Sequence, residues 1–505
     1  MPSDDNNQVP PPPPADNQAY ESPDEDRRDS VSPTESLLEE SAAAGHDPYA
    51  ALRIPNYRYY MSGNLVSIIG SQMTAFVMAY QLYRLTNSTT AMGLVGLVQV
   101  LPILMLTLLA GSVIDRFSRK AIILIDQGML VLSATSLGAV TLFHDRIPPM
   151  ALLDSANHAL SQLADRTGET THHFNDRVIP VMFGLLFVNG TIRSFNQPAK
   201  QSLLPMLVPQ AAFHNAITWN SSVFETCTMI GPMLAGFVVS FLQARQVSDA
   251  TTFAGLYFFN ALCQLTMLLV FLPIRLTPLA QAREPISVRS LLAGIRFVRD
   301  TRIILATLSL DMFAVLLGGA TALLPVIADR VLGVGPLGLG VLRAAPSVGA
   351  ILMAVIVAHS RPSLHPGRGL LWATAGFGIA TMAFGLSLSF PLSVVALFLT
   401  GMFDNISVVT RHSLVQILTP NAMRGRVSAV NSLFISTSNE IGELESGLTA
   451  SVAVGIGGPF FGPMAAIIAG GIGSILVVLG VNAHWPEVRR LGPIADLRAL
   501  GPKID

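Results

Sequence analysis

The sequence predicts an all-α membrane protein: twelve transmembrane helices in two six-helix halves, with both termini in the cytoplasm. Three observations carry that prediction. Of 505 residues, 51% are apolar and only 12% charged, about half the charge content of a soluble domain. From Tyr57 onward the chain falls into twelve continuous apolar runs, each near the roughly 20 residues that cross about 30 Å of hydrocarbon. A stretch of the first half recurs in the second at a constant shift of 211 residues, the mark of a duplicated unit.

Residues 1–50 are of different material. Pro10 to Pro14 stand in a row, followed by Asp24-Glu-Asp-Arg-Arg-Asp29 and the acidic stretch Glu35 to Glu40. Such a composition buries too little apolar surface to offset chain entropy, so a disordered, acidic, Pro-rich cytoplasmic tail is expected. It has none of the basic start, short apolar core and cleavage site of a signal peptide.

The apolar runs fall near 60–83, 91–114, 121–143, 178–197, 216–242 and 253–274, then 303–328, 337–358, 369–389, 391–412, 427–453 and 460–482. They do not alternate as barrel strands would. The first six make an N-terminal half, 51–275, and the last six a C-terminal half, 302–484, before a short tail, 485–505. Loops after even-numbered runs carry fifteen Lys and Arg, Lys200 and Arg411 among them, against six in the opposite loops, including Arg330. Lysine and arginine stay on the cytoplasmic side, which sets the orientation.

Two connections are long. Residues 144–177 form an external insert with Asp145, Asp154, Asp165, Glu169 and Asp176, in which 150–164 has the pattern of a short helix. It is read as a tolerated surface insertion, with a ligand-gating lid as the other reading. Residues 276–301 form a cytoplasmic linker. Its second half puts Leu291, Leu292, Ile295 and Val298 on one helical face with arginines off it, as in an interfacial amphipathic helix.

The repeat aligns Ser202-Leu-Leu-Pro-Met-Leu-Val-Pro209 with Ser413-Leu-Val-Gln-Ile-Leu-Thr-Pro420, and its register carries Asn220 onto Asn431 and Ser221 onto Ser432. Both copies join an even run to the next odd one. Six plus six helices in parallel repeat place a substrate route between the halves.

Between runs 2 and 3 lies a charged hinge, Gly111-Ser-Val-Ile-Asp-Arg-Phe-Ser-Arg-Lys120. It resembles the loop 2–3 signature of the major facilitator superfamily, Gly-x-x-x-Asp-Arg-x-Gly-Arg-Arg/Lys. Gly111, Asp115, Arg116, Arg119 and Lys120 match, while Ser118 replaces the second glycine. Phe195-Asn-Gln-Pro-Ala-Lys-Gln-Ser-Leu-Leu-Pro205 and Thr419-Pro-Asn-Ala-Met-Arg-Gly-Arg-Val427 are similar to the branch of enterobactin exporters and macrolide-efflux drug:proton antiporters. The resemblance implies that Asp115 sits against the amino-terminal end of helix 11, where backbone donors favour a carboxylate. Arg116, Arg119 and Lys120 would then latch the halves together on the cytoplasmic side of the outward-facing carrier. A plain positive-inside anchor is the other reading, but an anchor needs no acid.

Run 5 carries Cys227 and then Ile230-Gly-Pro-Met-Leu-Ala-Gly236, similar to the antiporter signature Gly-x-x-x-Gly-Pro-x-x-Gly-Gly. Gly231, Pro232 and Gly236 match, with Cys227 and Ala235 as small substitutes, and the match implies export. Ionisable groups inside a membrane are costly, which makes them functional candidates. Glu225, Asp311, Asp404, Glu440, Glu443 and Glu445 lie inside their runs, with Arg193 and Arg343 as candidate counter-ions. A desolvated carboxylate can bind and release a proton as access alternates. Proton coupling is assigned first to Glu225 and Asp311, then to Asp404 and Glu440, against a structural hydrogen-bonding role for each. Glu440 and Glu443 share a helix face and Glu445 points away. Asn64, Ser67, Gln72 and Asn189 are cavity candidates, with helix-packing hydrogen bonds as the alternative.

The functional expectation is a secondary active transporter in the cytoplasmic or inner cell membrane, exporting an amphipathic small molecule, drug or siderophore, against a proton gradient by alternating access. An uptake carrier or lysolipid flippase on the same fold, or a non-transporting receptor or scaffold, are the alternatives. No phosphate-binding Gly-x-x-x-x-Gly-Lys-Ser/Thr and no nucleophile–base set point to an enzyme. No cofactor, metal or nucleic acid is expected. Cys227 and Cys263 both sit in apolar runs as small buried side chains, and the partners are the substrate and the bilayer around a monomer.

Overall fold

In a computed structural model of the chain, residues 48–169, 172–209, 212–274, 276, 288–360, 365–420 and 423–492 are described. Most of the expected N-terminal tail, the linker positions 277–287 and the end of the C-terminal tail lie outside them. Regular structure among the described residues is helical.

The first half contains α1 (Pro55–Thr86), α2 (Thr89–Arg116), α3 (Arg119–Leu142), α4 (Val178–Leu207), α5 (Phe213–Ala244) and α6 (Asp249–Phe271). Local chemistry sets their ends. α1 starts on a proline, whose fixed φ suits a first helical turn, and stops at Asn87 in the left-handed region, φ 50°. Ser88 then caps α2 by accepting from the Ala91 amide, and Ser248 caps α6 through Thr251. The second half contains α7 (Arg302–Gly318), α8 (Gly335–His359), α9 (Pro366–Leu386), α10 (Phe390–Leu418) and one long element, Arg424–His484. Gly458 interrupts the last with φ 84° and ψ 172°, a conformation open to glycine, and Pro459 follows. The break yields α11 (424–457) and α12 (459–484), completing twelve apolar helices.

The seventh helix stops at Gly318, short of the expected 328, with irregular turns from Ala320 to Val331 after it, and two further boundaries move charges. α4 runs on to Leu207 and α10 to Leu418, so Lys200 and Arg411 are helical residues and not loop cations. Arg411 is 2% exposed. Both helices outrun the apolar pattern because their cations find partners inside the bundle.

The halves repeat one packing scheme. α1 packs on α5 and α6, α2 on α4, and α3 on α4 and α6; six helices later, α7, α8 and α9 make the matching contacts with α10 to α12. Large apolar side chains such as Ile125, Leu132, Phe237, Trp372 and Leu476 point outward, each more than half exposed. In water these would be large sticky patches; a bilayer covers them. The insert carries a helix, Ala151–Arg166. The linker helix, Val288–Asp300, seats Gly294 and Val298 on the start of α11 and leaves Leu292 and Ile295 outward.

The halves join along two glycine-lined seams, α2 on α11 and α5 on α8. A Cβ on Gly93 would stand 3.0 Å from both the Gly447 Cα and the Leu444 carbonyl oxygen, and one on Gly96 would run into the Glu440 carbonyl. On the other seam a Cβ on Gly236 would stand 2.5 Å from the Pro336 carbonyl, and one on Gly340 2.7 Å from that of Pro232. These obstacles are backbone, which cannot move aside as a side chain can. Gly96→Val should therefore lower stability by about 1–3 kcal/mol, read as a lower melting temperature of the purified protein, whereas Gly184→Val, which meets nothing within 4 Å, should melt near the parent.

Candidate functional site

The α2–α11 seam carries the central charge cluster. Gly190 lets α4 press against α2, since a Cβ there would lie 2.6 Å from the Gln99 carbonyl. One turn further along α4, Arg193 reaches across the seam. Its Nη1 donates to Gln99 Oε1 at 3.2 Å and to Glu440 Oε1 on α11 at 3.0 Å. The pair thus joins the halves, with the arginine side chain 44% exposed and the carboxylate 11%. Pairs with one wet partner are worth on the order of 1 kcal/mol, weak enough to be broken in a working cycle.

Glu443, one turn along the same face, interacts electrostatically with Glu440, Arg193 and Arg343 of α8. Glu445 turns aside and accepts from Thr449 Oγ1 at 2.8 Å. Glu225 on α5 and Asp404 on α10 also act on each other across the halves. Six expected ionisable residues, Arg193, Arg343, Glu225, Asp404, Glu440 and Glu443, are therefore in play where the halves face each other.

Asp311 is elsewhere. It forms an ion pair with Arg411 of α10, with both side chains under 10% exposed and both in the second half. The four cavity candidates likewise bond within one half. Ser67 donates to Gln264 at 2.7 Å, Gln72 to Thr228 at 2.6 Å, and Asn189 accepts from Ser133 at 3.2 Å. Asn64 donates to Asn220 at 3.4 Å and accepts from Lys200 at 3.2 Å. Lys200 also faces Asp126 of α3, an acid that sequence reasoning passed over although it stands alone inside an apolar run.

At the hinge, the side chains of Gly111, Asp115 and Arg116 lie outside the described residues. Lys120 Nζ donates to the Leu272 and Ile274 carbonyls at 2.6 and 2.8 Å, satisfying the acceptors at the end of α6. Arg119 meets Met206 Sδ at 3.5 Å. Both bind their own half. In the antiporter-like motif, Gly231 rests on Gln72 of α1, while Pro232 and Gly236 form the α5–α8 seam.

The end of the bundle opposite the hinge is closed across the halves. Arg330 Nη2 donates to the Asn87 carbonyl and Oδ1 at 2.8 and 2.7 Å, and Tyr83 donates to Asp329 at 2.8 Å. The Leu337 amide donates to Ser240 at 3.0 Å. Arg330, counted from sequence as a loop cation, is a cross-half bolt.

A family model described as transmembrane secretion effector matches residues 46–159 and 171–487. The enterobactin exporter of Escherichia coli O1:K1 is 24% identical over 437 residues, covering 86% of this chain and 93% of that one. Among solved structures, an inward-open xylose transporter from E. coli superposes with a TM-score of 0.56 at 14% identity, covering 88% of this chain and 99% of the other. An inward-facing bacterial homologue of the iron transporter ferroportin superposes at 0.56 and 16%, covering 85% and 99%.

The buried Asp311–Arg411 pair gives a direct test. Asp311→Ala leaves a guanidinium without its counter-charge and should cost about 3–5 kcal/mol. The double variant Asp311→Leu/Arg411→Leu should recover most of that loss in a thermal melt.

Proposed function

Because the chain belongs to the transmembrane secretion effector family of the major facilitator superfamily, we propose that it exports an amphipathic small molecule, drug or siderophore, in exchange for protons by alternating access. A multi-pass membrane transporter, not an enzyme, is what the family and the structural neighbours have in common. The identity to a siderophore exporter over most of the chain supports the export direction. The single observation that supports proton coupling is the Arg193–Glu440 pair, because it is shared between the halves.

With Lys200 and Arg411 drawn into the bundle, thirteen cations of the expected count remain in the loops and helix ends on the hinge side against six on the other, which supports a cytoplasmic hinge end. The cross-half contacts of Arg330, Tyr83, Ser240 and the glycine seams lie between mid-bundle and the external end. Arg119 and Lys120 bind within the first half. Among the described residues this pattern supports an inward-facing carrier. In that state Arg193 pairs with ionised Glu440, so the proton has left toward the cytoplasm. When the external ends part, Arg193 departs with α4, and a carboxylate without its counter-charge in a low-dielectric site takes up a proton from outside. Protons then run inward as substrate runs outward.

In proteoliposomes, Glu440→Gln should cut pH-gradient-driven dye efflux by about tenfold or more while leaving gradient-free counterflow. Gradient-driven efflux at the parent rate would refute the assignment. Asp115→Asn should abolish both fluxes with membrane insertion intact, since the outward-facing state loses its latch; unchanged flux would reduce the hinge to an anchor.

A further inference from the structure

The family match leaves out residues 160–170, yet that stretch holds some of the tightest contacts at the external end. Glu169 is completely buried. Its Oε1 accepts from the Thr89 amide at 2.7 Å and Thr89 Oγ1 at 3.1 Å, and its Oε2 from Ser88 Oγ at 2.7 Å and the Thr90 amide at 3.3 Å. An acid from the insert thus occupies the first-turn donors of α2, where a negative charge is favoured by the helix dipole. The His173 amide adds a bond to the Thr86 carbonyl at 2.7 Å. The insert is braced on itself as well: Asn157 donates to the Asp176 carbonyl at 3.0 Å and Arg177 to Asp154 at 2.9 Å.

From this anchorage the insert reaches the other half. The hydroxyls of Thr167 and Thr90 both meet Ser451 Oγ on α11, the latter at 2.8 Å. Gly168, at φ 88°, comes so close to α11 that a Cβ on it would lie 3.2 Å from the Gly455 Cα. Glu169 and α2 belong to one half, Ser451 and Gly455 to the other. Opening the external end must therefore break the Ser451 and Gly455 contacts while Glu169 stays on α2.

We propose that Thr167, Gly168 and Glu169 form an external clasp that holds α2 against α11 and biases the carrier toward the inward-facing state. Glu169 acts as a positioning residue: its carboxylate bonds to Ser88, Thr89 and Thr90 and so fixes Thr167 and Gly168 over α11. Both its oxygens accept, so Glu169→Gln places an amide donor against a backbone or hydroxyl donor and loosens the anchorage. Ser451→Val removes the shared hydroxyl from the opposite side and leaves the insert untouched.

The proposal rests on alternating access, and the test separates the two. Spin labels on Phe143→Cys and Leu388→Cys, both exposed and on opposite halves at the external end, report its opening; the native Cys227 and Cys263 are 1% and 3% exposed and stay unlabelled. In the full chain in lipid nanodiscs, Glu169→Gln and Ser451→Val should each raise the ratio of long to short distances about tenfold. The double variant should add less than the product, since both act on one contact. An unchanged distribution in Ser451→Val overturns the clasp, whether or not Glu169→Gln shifts or folds. An unchanged distribution in a folded Glu169→Gln overturns it too. Alternating access is judged on the parent chain alone, by whether a change of bath pH or added dye moves its distances.

Discussion

The close approach of α2 and α11 is the constraint on which the rest of the arrangement depends. With Gly93 and Gly96 against Gly447 and the Glu440 backbone, the helices meet at a separation no side chain would allow. In a bilayer there is no hydrophobic gain from joining two apolar helices, so intimate van der Waals contact must supply the attraction. The same approach sets what the charges can do. Arg193 spans from α4 to Glu440 because Gly190 and Gly96 remove the bulk on either side of Gln99.

The second seam repeats the scheme with different chemistry. Pro232, Gly236, Pro336 and Gly340 bring the α5 and α8 backbones together, and Glu225 of the same α5 acts electrostatically on Asp404 of α10. One seam thus joins the halves through opposite charges and the other sets two acids facing. Two like charges repel where an opposite pair attracts, so the two seams differ in the sign of the charge interactions around them.

Much of this was legible in the sequence, and what was not has a physical cause. Bilayer thickness dictates run length, which is why twelve crossings were countable even where Gly458 hides the last break inside one continuous element. The intramembrane acids were visible as costly residues. Their partners were not, because a one-dimensional pattern shows that Asp311 is charged but not that Arg411 lies against it. Lys200 and Arg411 misled the loop count for the same reason: a cation looks like a solvent-facing one until its acceptor is known. Asn64, Ser67, Gln72 and Asn189 look polar in sequence, yet neighbouring helices satisfy them. Glu169 was one of five acids in the insert, and nothing local set it apart; only the register of the insert over α2 does. The small residues Thr89, Gly93 and Gly96 carried a readable packing signal at helical spacing.

Which charges can serve coupling follows from where they sit relative to the moving parts. An ion pair within one half, such as Asp311 with Arg411, keeps its partner through any rigid movement of the halves, so its protonation cannot report the state of the carrier. A pair shared between halves loses its partner in one state and regains it in the other. That difference in interaction free energy between two conformations is the sole means by which a proton can bias an equilibrium. Arg193–Glu440 is such a shared pair. Arg330 on Asn87 is also shared between the halves, but its acceptors are a carbonyl and an amide oxygen that carry no proton to exchange. It ties the external ends of the two halves together through neutral acceptors. The external rim is not uniform in this respect, since beside Arg330 on Asn87 the Tyr83 hydroxyl meets a carboxylate, Asp329.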